Sequence, residues 1–185
     1  MESMETLHQL EERLGYRFND PELLRGALYH SSYANEHRSM GIASNERLEF
    51  LGDAVLGFVS ADFLYRKHSD LPEGELTRIR AALVCEESLH EVAQSLHMGD
   101  FLMLGKGEES GGGRRRPSIL ADAVEAVLAA VYLAGGIDEA RALIHRILLE
   151  KEQEQVVESR RRDYKTELQE LVQRKPNQVL HYELV

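Results

Sequence analysis

Apolar residues recur along this chain mostly at intervals of three and four, so the pattern predicts helices almost throughout. Leu7, Leu10 and Leu14 form a first stripe, with Gly15 placed to end it. Asn19-Asp20 followed by Pro21 opens a second helix carrying Leu23, Leu24, Ala27 and Leu28. Ser44-Asn45 caps a long third helix on which Leu48, Leu51, Val55, Val59 and Phe63 share one face. Pro72-Glu73 starts another, with Leu76, Ile79, Leu83 and Val84 turned inward. Leu89, Val92, Ala93 and Leu96 mark the next, which Gly99 ends. Residues 105–117, rich in glycine, read as a loop. Ser118 caps a strongly apolar helix to about Ala134; Gly135-Gly136 breaks it, and Asp138 opens a helix through Leu143, Ile144, Ile147 and Leu148.

Beyond residue 150 the pattern changes. Residues 151–162 are nearly all polar and read as a helix extension or a linker. Tyr164, Leu168, Leu171 and Val172 return to helical spacing, Pro176-Asn177 is a turn, and residues 179–185 look like a strand. A lone strand cannot satisfy its backbone. The expected organisation is therefore an all-α domain over 1–151, a linker over 152–162, and the opening helix and strand of an α+β module over 163–185.

Composition narrows the function. At 185 residues and 43% apolar content the chain can bury one full core. Its net charge of −10 gives no bulk sign of a nucleic-acid partner, so any such claim must rest on a local site. The single Cys85 excludes an internal disulfide and a thiolate metal cage, fits a reducing compartment, and reads as a small buried apolar residue. The longest uncharged apolar run, residues 126–137, is 12 residues, short of the ~20 a membrane span needs. The acidic N-terminus lacks an apolar export signal. A cytoplasmic protein with no membrane partner is expected.

Two helices carry candidate chemistry. Glu46, Glu49 and Asp53 are spaced i, i+3, i+7 and span only ~60° of helix surface, at the edge of the apolar stripe. They are either a solvated acidic face or three charges gathered around something positive. Between Ser118 and Ala134 the only charged residues are Asp122 and Glu125, on one face of an otherwise apolar helix. Buried carboxylates are paired, protonated or metal-bound. The candidate partners are Arg78, Arg80 and the Arg114-Arg115-Arg116 run; that run either contacts phosphate, caps these acids, or is a solvated loop. Glu49, Asp53, Asp122 and Glu125 otherwise supply four oxygen donors, a set suited to Mg²⁺ or Mn²⁺ and to phosphodiester hydrolysis. Gly52 would let the facing helix approach closely. The eight histidines are scattered, and His90-Glu91-Val92-Ala93-Gln94 lacks the second histidine of a zinc motif. Gly105-Lys106-Gly107 is followed by no Ser or Thr and is no phosphate loop.

The string Asn45-Glu46-Arg47-Leu48-Glu49-Phe50-Leu51-Gly52-Asp53-Ala54-Val55-Leu56 resembles the signature of the ribonuclease III family of double-stranded RNA endonucleases. His30-Ser31-Ser32-Tyr33, Pro72-Glu73-Gly74-Glu75-Leu76-Thr77, Ser118-Ile119-Leu120-Ala121-Asp122-Ala123-Val124-Glu125-Ala126 and Asp163-Tyr164-Lys165-Thr166-Glu167-Leu168-Gln169-Glu170 are similar to further family blocks, in order. The resemblance implies an all-helical catalytic domain that pairs as a homodimer, followed by a double-stranded-RNA-binding domain that the chain only begins. It implies that Glu49, Asp53, Asp122 and Glu125 hold Mg²⁺, or Mn²⁺ in its place, with Asp53 and Glu125 catalytic. It implies that Glu46 and Glu73 border the cleavage valley, that Phe50 enters a socket on the partner subunit, and that Lys165 and Gln169 face RNA. It also implies cleavage to 5′-phosphate and 3′-hydroxyl ends with two-nucleotide 3′ overhangs, processing of ribosomal RNA precursors and of some messenger and transfer RNAs, and no nucleotide cofactor. The net charge of +3 from Arg160 to Lys175 favours RNA only weakly, so weak binding and cleavage favoured at low salt are expected. A module that grips duplex RNA without cutting it, or a degenerate structural relative, would be expected to have lost carboxylates that are all present here.

Overall fold

A computed structural model describes residues 4–151. The expected linker over 152–162, the module over 163–185, and with them Lys165 and Gln169, lie outside the described residues. Eight α-helices and four short 3-10 turns account for the regular structure of the described part: α1 (Met4–Leu14), α2 (Pro21–Ala27), α3 (Ser31–Glu36), α4 (Glu46–Lys67), α5 (Glu73–Leu83), α6 (Glu86–Ser95), α7 (Lys106–Ser110) and α8 (Pro117–Ile147). No strand occurs among the described residues, only a single parallel bridge between Tyr29 and Met103. The all-α expectation is met.

The core is built around α8. Its segment before Gly136 is apolar on nearly every side and the segment after it on one face, and Ala123, Ala126, Ala130, Val131 and Ile144 are wholly buried. The other helices wrap it, α4 most extensively and α6 next. From α4 come Val55, Leu56, Val59 and Leu64; from α6, Leu89, Val92 and Ala93. Each fully buried leucine of this kind contributes about 1.5–3 kcal/mol. The apolar stretch of α8 has a mean hydropathy of 1.7 over its best window, long enough to cross a membrane, which the count of an uninterrupted run missed. Most of that window is buried inside the protein, so its apolarity is that of a core helix.

The expected break at Gly135-Gly136 is present: Gly136 has φ 82° and ψ −175°, so α8 bends there as two joined segments; only glycine takes that backbone without strain. Several other ends differ from expectation, each for a local reason. Pro117 occupies the first helical position and Arg116 the cap, so Ser118 lies inside the first turn and does not cap it. Asn45 stands at the start of α4 but makes no side-chain cap; its amide Nδ2 donates instead to the Ala27 carbonyl and ties α4 to the end of α2. Helix α6 is followed not by a turn at Gly99 but by one at His97, which takes φ 51°. The expected loop over 105–117 contains α7 and a 3-10 turn. The amides of Gly105 and Lys106 donate to Ser32 Oγ and Glu36 Oε1 at 2.9 and 2.8 Å, which anchors this segment on α3.

Candidate metal centre

Helices α4 and α8 cross at Gly52. A methyl group there would lie 1.9 Å from the Glu125 carbonyl oxygen, so the two backbones are in direct contact. Glu49 precedes Gly52 by three residues and Asp53 follows it, so this crossing sets both beside the α8 pair Asp122 and Glu125, which are themselves i, i+3 neighbours. One carboxylate oxygen each from Glu49, Asp122 and Glu125 lies within 4.8 Å of the other two, and all three groups are half-buried. Asp53 is exposed and stands outside this trio, but its charge acts on both Glu49 and Glu125. Glu46 acts on Glu49 from the preceding turn and accepts a hydrogen bond from Ser44 Oγ at 2.8 Å. Glu73 is elsewhere: it accepts a hydrogen bond from Thr77 Oγ1, one turn along its own helix, at 2.7 Å and lines a groove with Phe58, Tyr65 and Leu76.

The arginine alternative is not what the structure forms. Arg114 pairs with Glu109 and donates to the carbonyls of Gly99 and Leu102; Arg116 pairs with Glu108 at 2.7 Å. Among the described residues no Lys or Arg forms an ion pair with Glu49, Asp53, Asp122 or Glu125. The acids therefore perturb one another. Burial pushes the Glu125 carboxyl up to about 7, and Asp53, Glu49 and Asp122 add to it. Glu49 is raised by burial, then by Asp122, Glu46 and Asp53. Asp122 is raised by burial, opposed by His30 and reinforced by Glu86. Three hard oxygen donors, mutually repelling and with no Lys or Arg ion pair among the described residues, fit a divalent ion such as Mg²⁺ or Mn²⁺.

A pH dependence follows. In the native protein Glu125 holds its proton to about pH 7, whereas an ordinary glutamate releases it near 4.5. Between those values the native state binds more protons than the unfolded chain, so stability falls as pH rises through the window. In EDTA, the melting temperature of the wild type should exceed that of Glu125→Gln by less at pH 7.5 than at pH 5.5, with a difference of roughly 2–4 °C between the two conditions. Calorimetry showing a parallel pH course for both proteins would contradict this origin.

Sequence reasoning had His30 only as part of a block similar to the family's, and it did not single out Glu86, which acts on Asp122 with His30, nor the second apolar face of α4. Phe50, Phe58 and Tyr65 are 80%, 57% and 75% exposed, and with Ala54 and Ala61 they follow helical spacing opposite the core stripe. Their spacing was the available signal; a helix apolar on two faces shows little amphipathic contrast.

Comparison with known proteins gives a consistent picture. The family described as Ribonuclease-III-like matches residues 20–152. Ribonuclease 3 of Listeria welshimeri is 45% identical over 98% of this chain and 79% of its own length. Ribonuclease 3 of Carboxydothermus hydrogenoformans is 49% identical over 98% of this chain and 77% of its own. Among solved structures, the nuclease domain of ribonuclease III from Campylobacter jejuni superposes with a TM-score of 0.71 at 42% identity, covering 76% of this chain and 94% of that one. That structure is described as showing structural flexibility in a region involved in dimer formation.

Proposed function

Given that this chain belongs to the ribonuclease III family, an enzyme family of double-stranded RNA endonucleases, we propose that it cuts both strands of duplex RNA at a Mg²⁺ centre held by Glu49, Asp53, Asp122 and Glu125. The observation that carries the reading is the meeting of Glu49, Asp122 and Glu125 at the Gly52 crossing with no Lys or Arg ion pair among the described residues to neutralise them. When bound, the ion supplies positive charge to the phosphate and acidifies the attacking water. The chain's own part is to fix three carboxylates on two rigid helices and to keep Asp53, exposed beside them, facing the substrate side. Because burial and like charge raise Glu125 to about 7, ion binding must displace a proton there, so apparent metal affinity increases with pH through neutrality. Glu46 borders the same turn of α4; Glu73 is assigned to the valley wall of the paired molecule.

The products are 5′-phosphate and 3′-hydroxyl ends with two-nucleotide 3′ overhangs, one strand cut per subunit. The substrates are ribosomal RNA precursors and some messenger and transfer RNAs, in the cytoplasm. Residues 163–185 begin a duplex-RNA-binding module in which Lys165 and Gln169 face RNA, joined to the 1–151 domain by the 152–162 linker. Incubation of uniform duplex RNA with the protein in Mg²⁺, Mn²⁺ or EDTA, followed by end analysis, checks this assignment. Cutting in both metals and none in EDTA is expected; equal cutting in EDTA would overturn it.

The homodimer is assigned to the outer face of α4. Phe58 and Tyr65 there line a groove of about 380 Å³ with Ala61, Leu64 and Leu76, and Phe50 stands exposed on the same face of the helix, nearer its start. An exposed aromatic stripe beside an apolar groove is self-complementary across a two-fold axis. Phe50→Ser should shift the protein from dimer to monomer in sedimentation at micromolar concentration and lower cleavage at least tenfold. A variant that remains fully dimeric would move the interface elsewhere.

A further inference from the structure

The C-terminal halves of α4 and α8 flank an open cavity of about 320 Å³, beside the point where the described residues end. Its floor is apolar, formed by Val59, Phe63 and Leu149. The half-buried Phe63 ring meets the His145 ring edge-on, 4.8 Å between centroids, and carries the Lys67 ammonium 5.0 Å over its face. The rim is basic: Arg66, Lys67 and Arg141 stand there against the single lining carboxylate of Asp62. Asp62 pairs with Arg66 at 2.8 Å, and Asp138 with Arg141 at 2.6 Å. The Arg66 and Asp138 side chains are mostly exposed, so water weakens both pairs. In a chain of net charge −10, a basic rim around an apolar floor favours an acidic segment that also carries apolar side chains.

The residues that follow have that composition. Helix α8 ends at Leu148, where φ is −131°, and the 3-10 turn Leu149–Lys151 takes the chain off the α8 axis beside the cavity that Leu149 lines. Over 152–158 the only charged residues are Glu152, Glu154 and Glu158, and over 152–162 the only apolar ones are Val156 and Val157. Val156 is five residues beyond Lys151, a reach of at most ~17 Å when extended, enough for the chain to turn back over the cavity.

We propose that this cavity is the docking site of the chain's own linker: Val156 and Val157 cover Phe63 and Leu149, while Glu152, Glu154 and Glu158 face Arg66, Lys67 and Arg141. Only the few residues between the 3-10 turn and Val157 need be ordered, so the entropic cost is confined to them. The segment is tethered beside its site, and its high effective concentration lets modest contacts hold it. A docked linker fixes the point from which residues 163–185 leave the helical domain. Salt, by screening the charges, releases it.

The test uses the full chain of 185 residues, labelled on its valine methyls and phenylalanine rings. At low salt, nuclear Overhauser contacts from Val156 and Val157 to the Phe63 ring are expected, and they should fade at high salt. A glutamate-specific protease, scored at the bonds after Glu154 and Glu158, reads the released population in parallel. Val156→Ser with Val157→Ser should raise that cleavage about fivefold at low salt. Arg66→Glu with Arg141→Glu should abolish the contacts, and adding Glu152→Lys and Glu154→Lys should bring them back. A fold merely damaged by the arginine changes would not be rescued by reversing charges outside it. If the wild type shows no such contacts and is cut at Glu154 and Glu158 as fast as the valine variant, the docking is overturned. Contacts seen only between differently labelled subunits of a mixed sample would seat a second copy's linker in the cavity and overturn the own-chain assignment.

Discussion

Glu125→Gln is expected to abolish cutting of duplex RNA, lowering the rate by roughly 10³-fold or more, while the protein stays folded and dimeric and still binds RNA. The size follows from what is lost. A metal centre contributes several kcal/mol of transition-state stabilisation, and each 1.36 kcal/mol is a factor of ten in rate. Glutamine keeps the size of the side chain but removes a negative oxygen donor from a trio in which each ligand atom lies within 4.8 Å of the others. It also removes the most strongly perturbed carboxyl of the cluster, so the metal-free protein is relieved of repulsion. Single-turnover cleavage, with binding to uncut RNA measured in EDTA, separates chemistry from affinity. Cleavage at the wild-type rate would remove Glu125 from the mechanism.

Gly52→Ala should be the most damaging small substitution in the molecule. The added methyl would sit 1.9 Å from the Glu125 carbonyl oxygen and 2.5 Å from its carbon, neither of which can rotate away. Relief requires the helices to separate, and overpacking of this kind costs about 1–3 kcal/mol, more where backbone must move. Because the same crossing sets Glu49 against Asp122 and Glu125, the ion site should loosen together with the fold. The expected result is a melting temperature lower by at least ~4 °C and weaker Mn²⁺ binding by calorimetry. By contrast Gly57→Ala, on the same helix with open space around the added methyl, should leave both nearly unchanged. Equal behaviour of the two variants would refute the crossing as the organiser of the site.

The main helices could be read from sequence because their stripes face one core. Leu48 to Phe63 on α4, and the nearly charge-free run of α8, report burial directly. So did the isolation of Asp122 and Glu125, whose only economical explanation is a shared polar purpose. What could not be read depends on contacts between distant segments. Helix α7 forms where glycines alone suggest a loop, because Ser32 and Glu36, seventy residues away in sequence, anchor its first amides. Asn45 looks like a cap and serves as a tie, since the Ala27 carbonyl competes for its amide. The outward face of α4 was hidden because periodicity records that a residue is apolar, not which partner it meets. Phe50 stood out only through family likeness, whereas Phe58 and Tyr65 needed their exposure to be seen.

The bare backbone contact at Gly52 also bears on how such a chain could change over generations. The glycine is demanded by packing alone, and the acids around it by reactivity alone. A descendant released from selection for cutting would be free to drift at Glu49, Asp122 and Glu125, and would even gain stability by doing so. It would still have to keep the glycine, or give up the close crossing of its two longest helices.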